Sequence, residues 1–168
     1  VGDIYNADTL RPLLKPAAAG KTPADIVLAL YRMKGAQCVH YLDGPFAFVI
    51  ADGDKFYAAR DPLGVKPLYF TKSEQGWLFS TDLKAFKEDV KNINEFPAGC
   101  YVDATGAAKR YYRLPEAPVK NVNLNEAVDL IRTLVTESVT KRIEPFGEVG
   151  IYLTGSVESC IIAALAAE

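Results

Sequence analysis

Three hydroxyl side chains and one glycine lie close together near the end of the chain, where residues 153–159 read Leu-Thr-Gly-Ser-Val-Glu-Ser. The apolar run at 150–153 before them predicts a buried strand, and the alanine-rich run at 159–167 favours a helix. A turn between strand and helix presents free N–H groups and the positive end of the helix macrodipole, which attract phosphate. The candidate phosphate-binding residues are Leu153, Thr154, Gly155, Ser156, Glu158 and Ser159.

The spacing alone also fits a plain strand-to-helix connection, because one glycine and a few hydroxyl groups are a weak signal for a nucleotide site. Other reactive side chains favour structural roles. His40 is the only histidine and has no acid–base partner beside it in the sequence. Arg60 and Asp61 are typical of a buried or hairpin-end pair that sets a turn.

The three cysteines, Cys38, Cys100 and Cys160, are far apart and form no CxxC motif. They predict no metal site and no disulfide, and they are typical of reduced thiols in an intracellular protein. The sequence does not distinguish the cytoplasm from an organelle lumen. No signal peptide and no apolar run of about 20 residues is present, so we expect no membrane span.

Charge and composition narrow the classes of partner. The 168 residues are 49% hydrophobic and 24% charged, which is typical of a globular protein. The 19 basic and 21 acidic residues are interspersed and give a net charge of −2. Without a basic surface we expect no nucleic-acid partner.

Periodicity predicts an α+β arrangement in the first part of the chain. A short helix is expected at 9–15, and a second helix at 23–33 is expected to begin at the N-cap Thr22. Antiparallel hairpins then follow, and the first four strands predict one meander. The expected strand pairs are 45–51 with 55–60, 67–70 with 77–80, and 96–102 with 109–112.

The last third of the chain has a different pattern. Two prolines and little periodicity predict a linker at 114–122, between a domain at 1–113 and a second domain at 123–168. Asn123, with Glu126 three residues later, predicts the start of a long amphipathic helix. This helix precedes the strand and turn at 150–159, so we expect the start of an α/β domain.

Four motifs together resemble those of the glutamine-dependent asparagine synthetases. They are Gly-Asp-Ile-Tyr-Asn at 2–6, Leu-Asp-Gly-Pro-Phe-Ala-Phe at 42–48, Ala-Arg-Asp-Pro-Leu-Gly-Val-Lys-Pro-Leu-Tyr at 59–69 and Glu-Phe-Pro-Ala-Gly at 95–99. The resemblance implies a partial N-terminal-nucleophile fold of the class II amidotransferase type, with sandwiched antiparallel sheets. It further implies the first helix, strand and helix of an ATP pyrophosphatase-like domain.

The resemblance also implies a glutaminase site, and the sequence departs from it. The family's nucleophile is an N-terminal cysteine, which Val1 does not supply, so we expect no catalytic residue. The family's Asn-Gly-Glu reads Val1-Gly2-Asp3 here, which leaves Gly2 and Asp3 as vestiges of a glutamine pocket. A substrate-binding aspartate of the family is replaced by Pro23.

The pyrophosphate loop of the family, Leu-Ser-Gly-Gly-Leu-Asp-Ser, corresponds to residues 153–159. Ser156 replaces its second glycine, and a positive φ there would cost roughly 1–2 kcal/mol. Glu158 is one methylene longer than the family's aspartate, which would misplace a bound magnesium ion. We therefore expect no metal and no cofactor, with ATP and Mg²⁺ required only if the family's activity survives.

Three functions remain open from the sequence. The chain is an inactive asparagine synthetase-like subunit of a larger assembly, or a piece of a working enzyme that makes asparagine from aspartate, glutamine and ATP. The third is a module that senses glutamine or a nucleotide without turnover. In the first and favoured case, other protein subunits are expected to cover the incomplete sheet and the C-terminal helix, because exposed strand edges and apolar faces are seldom tolerated.

Overall fold

A computed structural model describes residues 1–14, 22–74, 76–103, 106–116 and 123–167. The chain divides into two compact units, Val1–Pro115 and Glu116–Glu168, which are described separately. The boundary between them falls within the linker predicted at 114–122, of which residues 117–122 lie outside the described part. Among the described helices, none is long and apolar enough to cross a membrane.

The first helix begins earlier than expected. Helix α1 (Ala7–Leu10) continues into a 3₁₀ turn (Arg11–Leu13), whereas the sequence predicted a helix at 9–15. Thr9 lies within the helix, and its hydroxyl donates to the carbonyl of Asn6 at 2.8 Å. The helix therefore starts directly after Asn6. Residue 15 is outside the described part.

Helix α2 (Pro23–Lys34) confirms the helix predicted at 23–33. A reciprocal capping box closes its N-terminus: the amide of Asp25 donates to Thr22 Oγ1 at 3.3 Å, and the amide of Thr22 donates to Asp25 Oδ2 at 3.0 Å. A 3₁₀ segment (Gly35–Tyr41) follows the helix and buries Cys38 in the core.

In the described residues, seven strands form two antiparallel sheets. The strands are β1 (Ala47–Asp52), β2 (Lys55–Arg60), β3 (Tyr69–Ser73), β4 (Gly76–Ser80), β5 (Asn94–Glu95), β6 (Cys100–Val102) and β7 (Ala108–Arg110). The first sheet has the order β1-β2-β6-β7, and the second has the order β4-β3-β5. The three predicted hairpins are confirmed, but the single four-stranded meander was wrong, because β2 and β3 lie in different sheets.

The turn after β2 explains why the two hairpins separate. Asp61 is 1% exposed, and its Oδ1 accepts hydrogen bonds from the amides of Leu63 at 3.1 Å and Val65 at 2.9 Å. Its Oδ2 accepts from the amide of Lys66 at 2.9 Å. Three backbone donors held by one carboxylate force the chain to turn sharply instead of returning along β2.

The buried side chain of Arg60 stabilises the same turn. Its guanidinium donates to the carbonyls of Lys66 at 2.7 Å, Phe96 at 2.6 Å and Gly64 at 2.9 Å, and to the carboxylate of Glu95 at 2.7 Å. The structural role predicted for Arg60 and Asp61 is confirmed. The two residues shape the turn through separate backbone partners.

The first unit has three layers. Helix α2 packs on one face of the first sheet through a core that includes Ile26, Leu30 and Tyr57. The second sheet covers the opposite face through a separate core that includes Phe96 and Val102. This arrangement confirms an α+β fold with sandwiched antiparallel sheets.

The described part of the second unit contains helices α3 (Leu124–Ile143) and α4 (Val157–Ala166). Asn123 caps α3 as predicted, because its Oδ1 accepts from the amide of Glu126 at 2.9 Å. Part of the apolar face of α3 is open to solvent within this unit. The exposed residues include Leu124, Val128, Leu130, Ile131 and Leu134.

The strand predicted at 150–153 was wrong. These residues form no strand, and Tyr152 and Leu153 are 96% and 64% exposed. A strand is held by hydrogen bonds to a neighbouring strand. The described residues of this unit form helices and supply no neighbouring strand. The predicted helix–strand–helix is therefore two helices joined by an irregular segment.

Candidate functional site

A groove of about 520 Å³ lies between the start of α2 and strand β1. It brings together Val1, Gly2 and Pro23, three positions that the sequence placed in a glutamine pocket. The groove is lined by Val1, Gly2, Ile4, Thr22, Pro23, Ala24, Val27, Leu28, Phe46, Phe48, Val49, Ile50 and Ala51. Asp3, the remaining predicted member, is not among these residues.

The N-terminal residues reach the groove by pairing with the segment before β1. The amide of Asp3 donates to the carbonyl of Pro45 at 2.9 Å, and Gly2 forms an antiparallel bridge with Phe46. Gly2 has φ +128°, and a Cβ there would lie 2.1 Å from the carbonyl oxygen of Pro45. This close approach requires glycine and fixes the floor of the groove.

The described residues that line the groove include no charged side chain. Free glutamine carries an ammonium and a carboxylate, and burying either group is unfavourable without a charged or hydrogen-bonding partner. The lining side chains offer one hydroxyl, that of Thr22, which already donates to Asp25 Oδ2 at 2.7 Å. The carboxylate of Asp3 lies 3.9 Å from Lys66 Nζ. The walls therefore suit apolar groups better than an amino acid.

Replacing Thr22 tests how the capping box supports the rim of the groove. Thr22→Ala is expected to lower the free energy of unfolding by about 1 kcal/mol. The hydroxyl and amide of Thr22 donate to the Asp25 carboxylate and lower its pKa. These hydrogen bonds therefore stabilise the fold at pH values above the ordinary carboxyl pKa, and this stabilisation is lost as the pH falls through the lowered pKa. Urea unfolding at pH 7 and pH 3 should therefore give a larger difference between variant and parent at pH 7. An equal difference would contradict the role of Asp25.

The second candidate site is the loop before α4. Gly155 has φ +84°, while the N-cap Ser156 has φ −73°, so the strain considered for a serine in place of the family's second glycine does not arise. Ser156 Oγ accepts from the amide of Ser159 at 3.2 Å, and the hydroxyl of Thr154 donates to Ser159 Oγ at 3.2 Å. The hydroxyl groups of the loop thus bond to one another and to the helix start.

The acidic residue of this loop has a lowered pKa. The main cause is a hydrogen bond from the amide of Glu158 itself, followed by one from the side chain of Ser156. Glu158 lies in the first turn of α4, where a carboxylate interacts favourably with the positive end of the helix macrodipole.

The remaining reactive side chains support the fold. The ring of His40 contacts that of Tyr111 edge-on at a centroid distance of 5.7 Å. Burial raises the pKa of the Cys38 thiol, which makes it a poor nucleophile. Cys100 is also buried, whereas Cys160 is exposed on α4. In the described ranges no group of three or more His, Cys, Asp or Glu residues is placed to hold a metal ion.

Most residues of the groove wall were not predicted from the sequence to belong to a site. Residues 48–51 were predicted only as a strand, and Val27 and Leu28 only as part of a helix. These residues come together because α2 packs across the first sheet, and no local sequence pattern predicts that packing. The capping sequence at Thr22 was the one local signal, because it placed the start of a helix beside the position of Pro23.

Comparison with known proteins agrees with this fold. Residues 1–88 match the family model of the glutamine amidotransferase domain. A glutamine phosphoribosylpyrophosphate amidotransferase structure from B. subtilis superposes with a TM-score of 0.53 at 16% identity, covering 99% of this chain and 42% of that chain. This likeness concerns the fold alone, which is the class II amidotransferase fold.

Curated relatives extend the match along the whole chain. A probable glutamine-hydrolysing asparagine synthetase of Schizosaccharomyces pombe is 37% identical over 176 residues, covering 99% of this chain and 31% of its own length. Asparagine synthetase B of Escherichia coli is 33% identical over 175 residues, covering 98% of this chain and 31% of its own length. The chain spans about a third of the length of these relatives. It belongs to the glutamine amidotransferase domain family, in the group formed by the glutamine-dependent asparagine synthetases.

Proposed function

We propose that this chain is a non-hydrolysing amidotransferase-like domain that acts by binding other protein subunits. The observation that carries the proposal is that the described residues lining the groove, at the position of the family's glutamine pocket, include no charged side chain. A proline at position 23 and a valine at position 1 supply no charged or amide group where the family has aspartate and asparagine. An oxyanion needs aligned donors, and Val1 adds no side-chain donor.

Two exposed apolar regions support a role in binding protein. The first is the edge of the first sheet, where Val49 is 39% exposed on an edge strand. The second is the apolar face of α3 in the second unit, with Ile131 61% exposed. Apolar faces of this kind mark sites where another polypeptide binds. We propose protein subunits as the partners of both regions.

The loop before α4 supports the absence of nucleotide chemistry. The amide of Ser159, which could bind a phosphate, is already bonded to Ser156 Oγ. We therefore propose that this domain requires neither ATP nor Mg²⁺ for its role. Calorimetry with ATP and Mg²⁺ is expected to give no saturable heat, and binding in the micromolar range would contradict this part of the proposal.

A glutaminase assay tests the main proposal. The native chain is isolated with all the polypeptides that accompany it, and the release of glutamate from glutamine is measured. We expect no glutamate above the rate of a matched sample from which the chain has been depleted. Glutamate production that follows the chain through gel filtration would overturn the proposal.

A second candidate function is a part of a working glutamine-dependent asparagine synthetase. It is favoured by the extent of the match, since 98–99% of the chain aligns with relatives about three times its length. In this case the nucleophile and the rest of the synthetase would reside in further polypeptide. Mass spectrometry of the native material would then find those segments, and glutaminase activity would disappear when they are removed.

A further inference from the structure

We draw no further inference here: the strongest candidate, the cleft of about 920 Å³ between strands β3 and β4 of the second sheet and residues 85–92, carries no proposal because nothing in the structure shows what covers or occupies it.

Discussion

Asp61→Ala is expected to lower the free energy of unfolding by about 4 kcal/mol. The Asp61 carboxylate is buried and accepts from three amides, those of Leu63, Val65 and Lys66. Alanine leaves these donors without an acceptor inside the turn that directs the chain from the first sheet to the second. The loss is measured by urea unfolding followed by circular dichroism.

Asp61→Asn is the matched control for this experiment. One amide oxygen can still accept from Leu63 and Val65, but the NH₂ group would face the amide of Lys66 and lose that bond. We expect a loss of about 2 kcal/mol, intermediate between the parent and Asp61→Ala. Asp89→Ala removes an exposed carboxylate and should change stability by less than about 0.5 kcal/mol. Equal losses for the alanine and asparagine variants at position 61 would contradict the bonding described.

The elements that the sequence predicted correctly have local signals. Helix α2 begins where Thr22 and Pro23 indicate a cap and a first turn, and the β1–β2 hairpin turns at Gly53. Each of these depends on residues within about four positions of one another, which is the range over which capping and turn preferences act. The resemblance of the motifs predicted two sandwiched sheets, whereas periodicity alone predicted one meander.

The parts that the sequence did not predict depend on distant residues. The prediction of one meander was wrong because the turn at Asp61 depends on three backbone amides that face its carboxylate. The prediction of a strand at 150–153 was wrong because an apolar run forms a strand only beside a neighbouring strand. The groove joins α2 with β1, about 25 residues later in the chain. An edge position depends on the order of the strands in the sheet, so no single stretch of sequence could identify β1 as an edge strand.

Gly44→Ala is expected to lower the free energy of unfolding by about 4 kcal/mol, from backbone strain and from overpacking together. Gly44 has φ +140°, and an added Cβ would lie 2.1 Å from the carbonyl oxygen of Asp3. The N-terminal segment must then move away from residues 43–47, so the amides of Asp3 and Tyr5, which donate to Pro45 and Asp43, should exchange hydrogen faster.

The matched control for Gly44→Ala is Gly53→Ala in the β1–β2 turn. Gly53 also has a positive φ, +60°, but no atom lies within 4 Å of the added Cβ, so only the strain of about 1–2 kcal/mol is expected. The amide of Phe96, which donates to the carbonyl of Leu68 beside the second sheet, should keep its protection in both variants relative to their global stability. Similar losses in the two variants would mean that the contact between Gly44 and Asp3 does not hold the N-terminal segment beside the groove. Faster exchange at Asp3 and Tyr5 in Gly44→Ala alone would establish that this contact positions Val1 and Gly2.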